Sequence, residues 1–460
     1  MKATRKHFNG KLQIIKVVAK GLKNTKFYAI VLVLGMLAGI LNFSPVISSF
    51  TDSIVITSSG EISTGAYARS GSAEDIQAAV DWVAGSGDGI GNVYIPEGTF
   101  NFVEVGEPWM TVNIPAGVNL FGAPTERTSG YLEPSRGMSP NEQVVQWKTV
   151  LVMPYDVPGD WYSAPYWFKF IGDNVHPFRF SDIMLKGYKS IDPNSTMIHQ
   201  GINIENVVDF RVDHSCLEHA GTGGGINIRG VNCRGVIDHC RLVNPHVKSA
   251  PSRYMDGIVG YGVALGRGYG DYWEDDVRKV LGHYTDYSVY IEDCYFEKWR
   301  HCIAANDGTH YVFRHNTIKD DFGFGSLDAH GWGNWDGTKI TQVGTRAVEI
   351  YANEILDAIQ SSWATMIRGG AGVAFNNTVG GGTYGSFIYL GNEADPEVSK
   401  CWCHDWWIWN NTMLAGCTEI IKYDPEGNIN EDIDYFRHAP DTFNYTSYPY
   451  PHPLTVEAIP

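Results

Sequence analysis

The sequence has little positive charge for its length. It holds 35 lysines and arginines against 51 aspartates and glutamates, a formal net charge of −16 over 460 residues. Binding to nucleic-acid phosphates needs a basic footprint, so this balance argues against a nucleic-acid partner. To bind an acidic polymer, such a chain would need a local arginine patch or a bridging cation.

The chain also lacks the common cysteine signatures. Its eight cysteines form no CxxC pair and no CxxCH haem motif, and the CWCH stretch at 401–404 has no matching second half. A structural zinc site needs four ligands, so a metal is not the expected state there. Buried thiols, or a disulfide in an oxidising compartment, remain as alternatives.

Long apolar runs are missing except near the N-terminus. The first fifty residues carry eight basic residues and no acidic one, and they include an uncharged apolar run at 28–43. This pattern predicts an export signal, or an uncleaved membrane anchor through residues 27–43, and both alternatives stay open. The expected location is extracellular or at the cell surface.

A short pattern recurs through the middle of the chain. Each copy has a small polar residue, a variable one, and then an aliphatic or aromatic one. The steps run from 22 to 54 residues; the short ones cluster at 22–25, and the longer ones fit one such coil plus an insertion. Short β runs at this period predict a solenoid whose coils stack through strand hydrogen bonds. Asparagine at such a turn tolerates left-handed backbone, and its amide can bond the next coil. The aligned positions are Asp182, Ser215, Cys240, Cys294, Asn316, Asn353, Asn377 and Asn411.

The segment SAEDIQAAVDWVAGSGDGIGNVYIPEGTF, residues 72–100, predicts a capped amphipathic helix followed by a strand and a turn. Together with the asparagine repeat, it resembles the right-handed parallel β-helices of the pectin-lyase-like superfamily. The resemblance implies an all-β, right-handed parallel β-helix with the N-terminal helix capping its open end, which would also block edge-to-edge aggregation.

These features divide the chain into four parts. Residues 1–50 are expected to be the signal peptide or anchor, 51–71 a linker, and 72–435 the parallel β-helix. Residues 436–460 are rich in proline and tyrosine, which predicts an extended tail on the surface or a link to something else.

The stretch GSLDAHGWGN at 325–334 places an aspartate and a histidine two residues apart. Positions two apart in a strand face the same side, so Asp328 and His330 are predicted to point outward together. Matching strands across coils predicts two adjacent solvent-facing columns. The first holds Arg229, Ala304, Asp328 and Arg368, and the second holds Asn306, His330 and Gly370.

The longest insertions, 244–255 and 267–288, flank these columns and would wall a groove. The family resemblance implies that an acidic or neutral polysaccharide lies on the corresponding sheet. We expect the catalytic candidates to be Asp328, His330, Arg368, Arg346, Asp307 and His310. We expect substrate contacts from Arg229, Asn306, Trp273, Tyr272, Trp332 and Glu349.

Two reactions suit these residues. In β-elimination on a uronate, Arg368 or Arg346 would bind the carboxylate and His330 would act as the base, since its ordinary pKa suits that role. In glycoside hydrolysis, two carboxylates flank the bond, and they would come from Asp307, Asp328 and Glu349. The paired-aspartate phrase typical of polygalacturonase relatives is missing, which favours elimination.

Other interpretations stay open beside these. Ca²⁺ would be the cofactor if Asp256, Asp307 and Asp328 bind it. A second outward column, His214, His239, Asp293 and His315, has ligand types that suit zinc or nickel, although ladders also repeat residue types for packing. A non-catalytic surface or carbohydrate-binding protein is the rival class, and it would need only lateral contacts.

Overall fold

The computed structural model describes residues 53–56, 62–125, 146–155, 165–187, 200–218, 224–244, 260–266, 276–321, 325–359, 363–441 and 443–456. All of these belong to one unit, Thr51–Pro460. The expected signal or anchor at 1–50 lies outside the described residues. Among the residues that are described, no helix is both long and apolar enough to cross a membrane.

Most described strands belong to one of three long sheets. The largest, sheet A, has 13 strands, all parallel except for the antiparallel β1–β2 pair at its N-terminal edge. Its strands are β1 (Ser53–Ile56), β2 (Ile62–Tyr67), β3 (Gly91–Tyr94), β6 (Val118–Phe121), β9 (Arg179–Ser181), β12 (Phe210–Asp213), β15 (Gly235–Asp238), β18 (Ser288–Glu292), β21 (His310–Arg314), β26 (Ala347–Tyr351), β29 (Gly370–Phe375), β32 (Cys403–Trp409) and β35 (Tyr435–Phe436).

Sheets B and C have ten parallel strands each. Sheet B contains β4 (Gly98–Asn101), β7 (Thr149–Val152), β10 (Ile183–Lys186), β13 (Cys216–Glu218), β16 (Arg241–Val243), β19 (Tyr295–Glu297), β22 (Thr317–Lys319), β27 (Glu354–Ala358), β30 (Thr378–Gly382) and β33 (Thr412–Met413). Sheet C contains β5 (Val112–Pro115), β8 (Tyr166–Ile171), β11 (Gln200–Glu205), β14 (Gly224–Arg229), β17 (Tyr261–Gly266), β20 (His301–Asn306), β23 (Leu327–Ala329), β28 (Trp363–Ile367), β31 (Ser386–Gly391) and β34 (Thr418–Tyr423).

The chain visits the three sheets in turn, coil after coil, so each strand pairs with the matching strand of the next coil. A short antiparallel hairpin, β24 (Asn334–Trp335) with β25 (Ile340–Gln342), interrupts this order. Inward residues such as Leu120, Ile226, Ile303 and Ile350 are fully buried and form one continuous core. The prediction of a right-handed parallel β-helix is confirmed.

An asparagine ladder joins the coils at the turn between sheets A and B. The Asn353 amide donates to Asn377 Oδ1 (2.9 Å) and to the Phe313 carbonyl (2.8 Å), and its Oδ1 accepts from the Asn316 backbone N–H (2.9 Å). Each buried amide therefore satisfies backbone groups of neighbouring coils that would otherwise lack a partner. The ladder ends at Asn411, which accepts from Asn377.

The expected reason for asparagine at the ladder needs one correction. The left-handed residue is the one before each ladder position, for example His315 (φ 55°) and Asn376 (φ 56°). Asp182 has φ 62°, so it occupies this left-handed turn and Ile183 takes the ladder position. The asparagines are thus placed for their hydrogen bonds, and the residue before them makes the turn.

Helix α1 (Ala73–Ala84) lies at the N-terminal end of the solenoid. Its N-cap is Ser72, whose hydroxyl accepts a hydrogen bond from the Asp75 backbone N–H (3.2 Å). Its apolar stripe, including Ile76 and Val80, is fully buried in the core. The predicted capping helix is present.

Both segments that flank the predicted β-helix pack on it. Within 51–71, β2 pairs in parallel with β3. Residues 443–456, named here the C-terminal strap, lie on the outer face of sheet A and end in the short helix α2 (Pro453–Val456). Arg314, on sheet A, donates to the strap carbonyls of Tyr448 (2.7 Å) and Pro449 (2.8 Å). The tail therefore runs over the surface of the solenoid.

All eight cysteines fall within the described residues and are free thiols, seven of them buried. Cys401 and Cys403 of the CWCH stretch are among the buried ones. Burial raises the pKa of Cys403 to about 12, so this thiol is protonated at neutral pH.

Candidate functional site

The two outward columns of sheet C differ from those predicted. Asp328 aligns with Ala304 on one side and Met366 on the other. Arg229 aligns with Gly266, and Gly266 aligns with Asn306 on the next coil. The His330 backbone N–H donates to the Ala305 carbonyl, which continues the same register and sets His330 beside Asn306. The second column therefore holds Arg229, Gly266, Asn306, His330 and Arg368. The prediction that Arg229 and Arg368 share a column with Asp328 is wrong by a slip of two residues.

Gly370 also leaves the predicted position. It begins β29 of sheet A, so it is not a neighbour of His330 on sheet C. The slip has a simple cause. A shift of two residues keeps every side chain on its predicted face, and the alternation of polar and apolar residues does not detect it.

The outer face of sheet C carries a compact ionic cluster, which we call the Asp328 cluster. Asp328 accepts from Arg368 through both oxygens, at 3.2 Å from Nε and 2.7 Å from Nη2. His330 Nε2 lies 2.9 Å from Asp328 Oδ2, and His301 Nε2 lies 3.7 Å from it. Glu393 closes the cluster, with Oε1 2.6 Å from Arg368 Nη1 and Oε2 3.5 Å from His330 Nδ1.

Burial within this cluster is uneven. The side chain of Asp328 is fully buried, whereas that of His330 is 22% exposed, Arg368 19% and Glu393 30%. The prediction of a solvent-facing Asp328 is therefore wrong, although the residue does point outward from the sheet. Its ionic partners cover it, and they form the accessible surface.

The charges of the cluster set the protonation of its members. Burial alone would lower the pKa of His330, but Asp328 and Glu393 outweigh this effect and that of nearby Arg368, and they raise it to about 9. Burial lowers the pKa of His301 to about 4. His330 is thus protonated at neutral pH and His301 is neutral, so His330 does not fit its predicted role as the base.

Asp307 lies beside the Asp328 cluster, just past the end of β20. Burial raises its pKa, against the opposing effects of a hydrogen bond from Gln342 and of the Arg229 and His330 charges. Arg229 is exposed. The amide oxygen of Asn306, in the same column, is buried with no hydrogen-bond partner among the described residues. This end of the strands thus gathers a carboxyl, two cations and an amide.

Three predicted site residues lie elsewhere. His310 and Glu349 belong to sheet A, where His310 Nε2 is 3.0 Å from Glu349 Oε1 and both side chains are fully buried. Glu349 also accepts from Tyr445 of the strap (2.6 Å). Arg346 precedes β26 of the same sheet and is buried as well. Glu349 thus contacts the strap that covers sheet A, and His310 is its partner on the same sheet.

The flanking loops are only partly described. Trp332 follows His330 closely and is 49% exposed, and Trp335 on the hairpin is 39% exposed. Tyr272, Trp273 and Asp256 lie outside the described residues.

The described residues do not fit a Ca²⁺ site at Asp328. Both of its oxygens already accept from Arg368, and His330 contacts one of them, so a cation would have to displace two positive groups. Of the predicted Ca²⁺ ligands, Asp307 alone is described and without such an ion pair.

The histidine column at the turn after sheet A also has compensated charges. The rings of His214 and His239 stack at 4.9 Å, and their Nδ1 atoms contact Asp213 (2.7 Å) and Asp238 (2.8 Å). Asp213, His214 and Asp238 are close enough together to hold an ion. However, Arg179 and Arg211 bind the two carboxylates in bidentate pairs, which takes up the oxygens a metal would need.

Sequence reasoning missed Glu393 and His301. Glu393 stands two residues after β31, which pairs with β28, and its backbone N–H donates to the Arg368 carbonyl (3.2 Å). His301 begins β20, and the pattern gives no sign that its ring approaches Asp328.

Comparisons with solved structures find resemblances at low identity and low TM-score. No family model matches, and no curated protein matches. The chain resembles ORF18 of Geobacillus virus E2 (11% identity, 77% of this chain and 59% of that one, TM-score 0.38). It also resembles a GH87 α-1,3-glucanase catalytic unit from Streptomyces thermodiastaticus (11%, 80% and 64%, 0.41) and a family 28 exopolygalacturonase from Yersinia enterocolitica (13%, 82% and 74%, 0.34). The chain thus spans less than two thirds of the viral protein and of the glucanase, and the fold assignment rests on its own strand order.

Proposed function

We propose that this chain is an exported, carbohydrate-active protein that binds a uronate-containing polysaccharide along the outer face of sheet C. The observation that carries the proposal is the grouping of Arg229, Asp307 and His330 at the same end of β14, β20 and β23, with β17 between the first two strands. The exposed Trp332 follows His330 by two residues, and the exposed Trp335 lies on the hairpin that comes next. Tryptophan rings stack on the apolar C–H faces of sugars, and charged groups on a rigid sheet are well placed for chemistry.

The proposed reaction is β-elimination. Arg229 pairs with the uronate carboxylate, which makes the C5 proton more acidic. Asp307, in its ionised form, removes that proton, because its raised pKa makes it a stronger base than an ordinary aspartate. His330, protonated below its pKa of about 9, donates a proton to the departing glycosidic oxygen. The C–O bond at C4 breaks, and a C4–C5 double bond forms.

Within this scheme Asp328 and Arg368 position His330. Asp328 is fully buried and holds the imidazolium through the 2.9 Å contact with its Oδ2. Arg368 donates to the same carboxylate and so fixes its orientation. Hydrolysis with paired carboxylates is less well supported. Asp328 is ion-paired and Glu349 lies under the strap on another sheet, so neither is free to act beside Asp307.

The test is a panel of polygalacturonate, alginate and hyaluronan, with neutral glucans as controls. Wild-type protein should bind one of the uronate polymers and produce the ultraviolet absorbance of an unsaturated uronate. The rate of this absorbance change should fall as the pH passes about 9, where His330 loses its proton. Asp307→Asn should abolish this signal and keep binding. Arg229→Gln should weaken binding, and the exposed Glu397→Gln should change neither.

Other results would contradict the proposal in distinguishable ways. New reducing ends without the unsaturated product would indicate hydrolysis. Binding without any product would indicate the rival class, a non-catalytic carbohydrate-binding protein. Binding to none of the polymers would overturn the carbohydrate assignment itself.

A further inference from the structure

Beyond the Asp328 cluster, the outer face of sheet C changes from charged to aromatic. The column that contains Asp328 continues through Met366 to Tyr389 and then Ile421, one coil at a time. The neighbouring column reaches Tyr423, which is 63% exposed. Nothing in the proposed elimination uses these residues.

The ring of Tyr389 lies across the sheet. A Cβ added to Gly391 would sit 2.9 Å from Cε1, 3.2 Å from the phenol oxygen and 3.3 Å from Cζ of Tyr389. The ring therefore crosses from its own column to rest over the glycine. Only a residue without a side chain leaves the backbone open to a ring at this distance.

Two further aromatic residues extend the surface. The Trp363 ring is 4.6 Å from that of Tyr389, centroid to centroid, at 45°. The Tyr423 ring is 6.4 Å away on the other side, at only 17° to the plane of Tyr389. None of the three side chains is fully buried. Together they make an aromatic platform, defined here as Trp363, Tyr389 and Tyr423.

The platform adjoins the proposed reacting centre. Ile367 pairs with Leu390, so Gly391 follows one coil after Arg368, about 4.8 Å along the solenoid axis. Glu393, which contacts Arg368, follows Gly391 by two residues. A polymer that leaves the Asp328 cluster along the axis toward the C-terminal coils meets this platform next.

We propose that the platform is a sugar-stacking subsite in which Tyr389 holds a pyranose ring of the polysaccharide next to the reacting unit. The inference rests on the proposed function and adds the direction in which the polymer lies. The apolar face of a pyranose covers the flat ring, and the phenol oxygen remains at its edge for a sugar hydroxyl. Gly391 acts as a positioning residue, because any side chain there would lift the ring off the sheet.

The test measures affinity for short and long oligosaccharides of whichever panel polymer the wild-type protein binds, by calorimetry and by quenching of tryptophan fluorescence. Tyr389→Ala and Gly391→Val should each weaken binding of the longer oligosaccharides about tenfold, with a smaller effect on the shortest. Tyr389→Phe keeps the ring and should bind almost as the wild type does. Tyr67→Ala, which removes an exposed ring from sheet A, should have no effect.

The outcomes separate this inference from the proposed function. If the wild type binds and Tyr389→Ala, folded by circular dichroism, binds equally well at every length, the platform is overturned and the carbohydrate assignment stands. If Tyr389→Ala weakens binding while no wild-type product forms, the subsite is supported and the elimination is not. If the wild type binds none of the polymers, both proposals fail.

Discussion

The protonation of His330 predicts a specific loss of stability at alkaline pH. Burial and the Arg368 guanidinium, whose Nη2 lies 2.6 Å from His330 Nδ1, both lower its pKa, but Asp328 and Glu393 outweigh them and raise it from 6.5 to about 9. A raised pKa means that the folded state holds the proton more tightly than the unfolded state. The resulting stabilisation is fully present below pH 6.5 and is lost as the pH rises through 9. The difference corresponds to about 3 kcal/mol of unfolding free energy.

The assay is chemical denaturation at a series of pH values across this window. The unfolding free energy of the wild type should fall as the pH rises from neutral to alkaline. In His330→Gln the part of this pH dependence that comes from the histidine should disappear, so the unfolding free energy should vary less over the same range. His239, whose pKa Asp238 also raises, contributes a slope that both proteins keep. His438→Gln removes an exposed histidine and serves as the matched control. Equal slopes for the wild type and His330→Gln would refute the reasoning, because the proton would then not be held by the cluster.

Three further changes test the architecture around the site. Asn353→Ala removes hydrogen bonds to two neighbouring coils and should cost about 2–3 kcal/mol, measured by denaturant unfolding. Gly331→Ala would place a Cβ 1.8 Å from the Arg368 carbonyl oxygen, so it should lower the thermal midpoint and displace that strand, while an unchanged midpoint would contradict the close approach. Arg314→Met leaves Glu292 buried without its 2.6 Å partner and should cost about 3–5 kcal/mol while making the strap sensitive to proteolysis, and an intact strap would count against its anchoring role.

The fold was predictable because each coil repeats the same local sequence pattern. Stacked asparagines such as Asn353 and Asn377 recur at the coil period, and alternating residues mark the inward face of each strand. Both signals depend on spacing along the chain, which the sequence shows directly. The capping helix was predictable for the same reason, since its apolar positions follow the helical period.

The candidate site was less predictable because it depends on register and on burial. The alternation of inward and outward residues along a strand assigned Asp328 to the correct face of the sheet. It did not show whether Arg368 or Met366 is the residue aligned with Asp328 on the next coil. The burial of Asp328 depends on side chains from other coils that close over it. For Glu349, the covering group is Tyr445, which is 96 residues away in sequence. No local pattern reports contacts of that kind.

The two outer faces also show why charge alone does not identify a site. Sheet A carries a longer series of buried ionic groups than sheet C, including Glu292 with Arg314. There the strap supplies backbone partners, with the His452 N–H on Glu292 and the Pro449 carbonyl on Arg314, so these charges are neutralised and covered. On sheet C, by contrast, His330 keeps an exposed edge and a raised pKa. His239, at the turn after sheet A, also has a raised pKa and a partly exposed ring, so the protonated histidine alone does not distinguish the two sheets. What favours sheet C as the functional face is that Asp307 and Arg229 lie beside His330 and are not locked in ion pairs with each other.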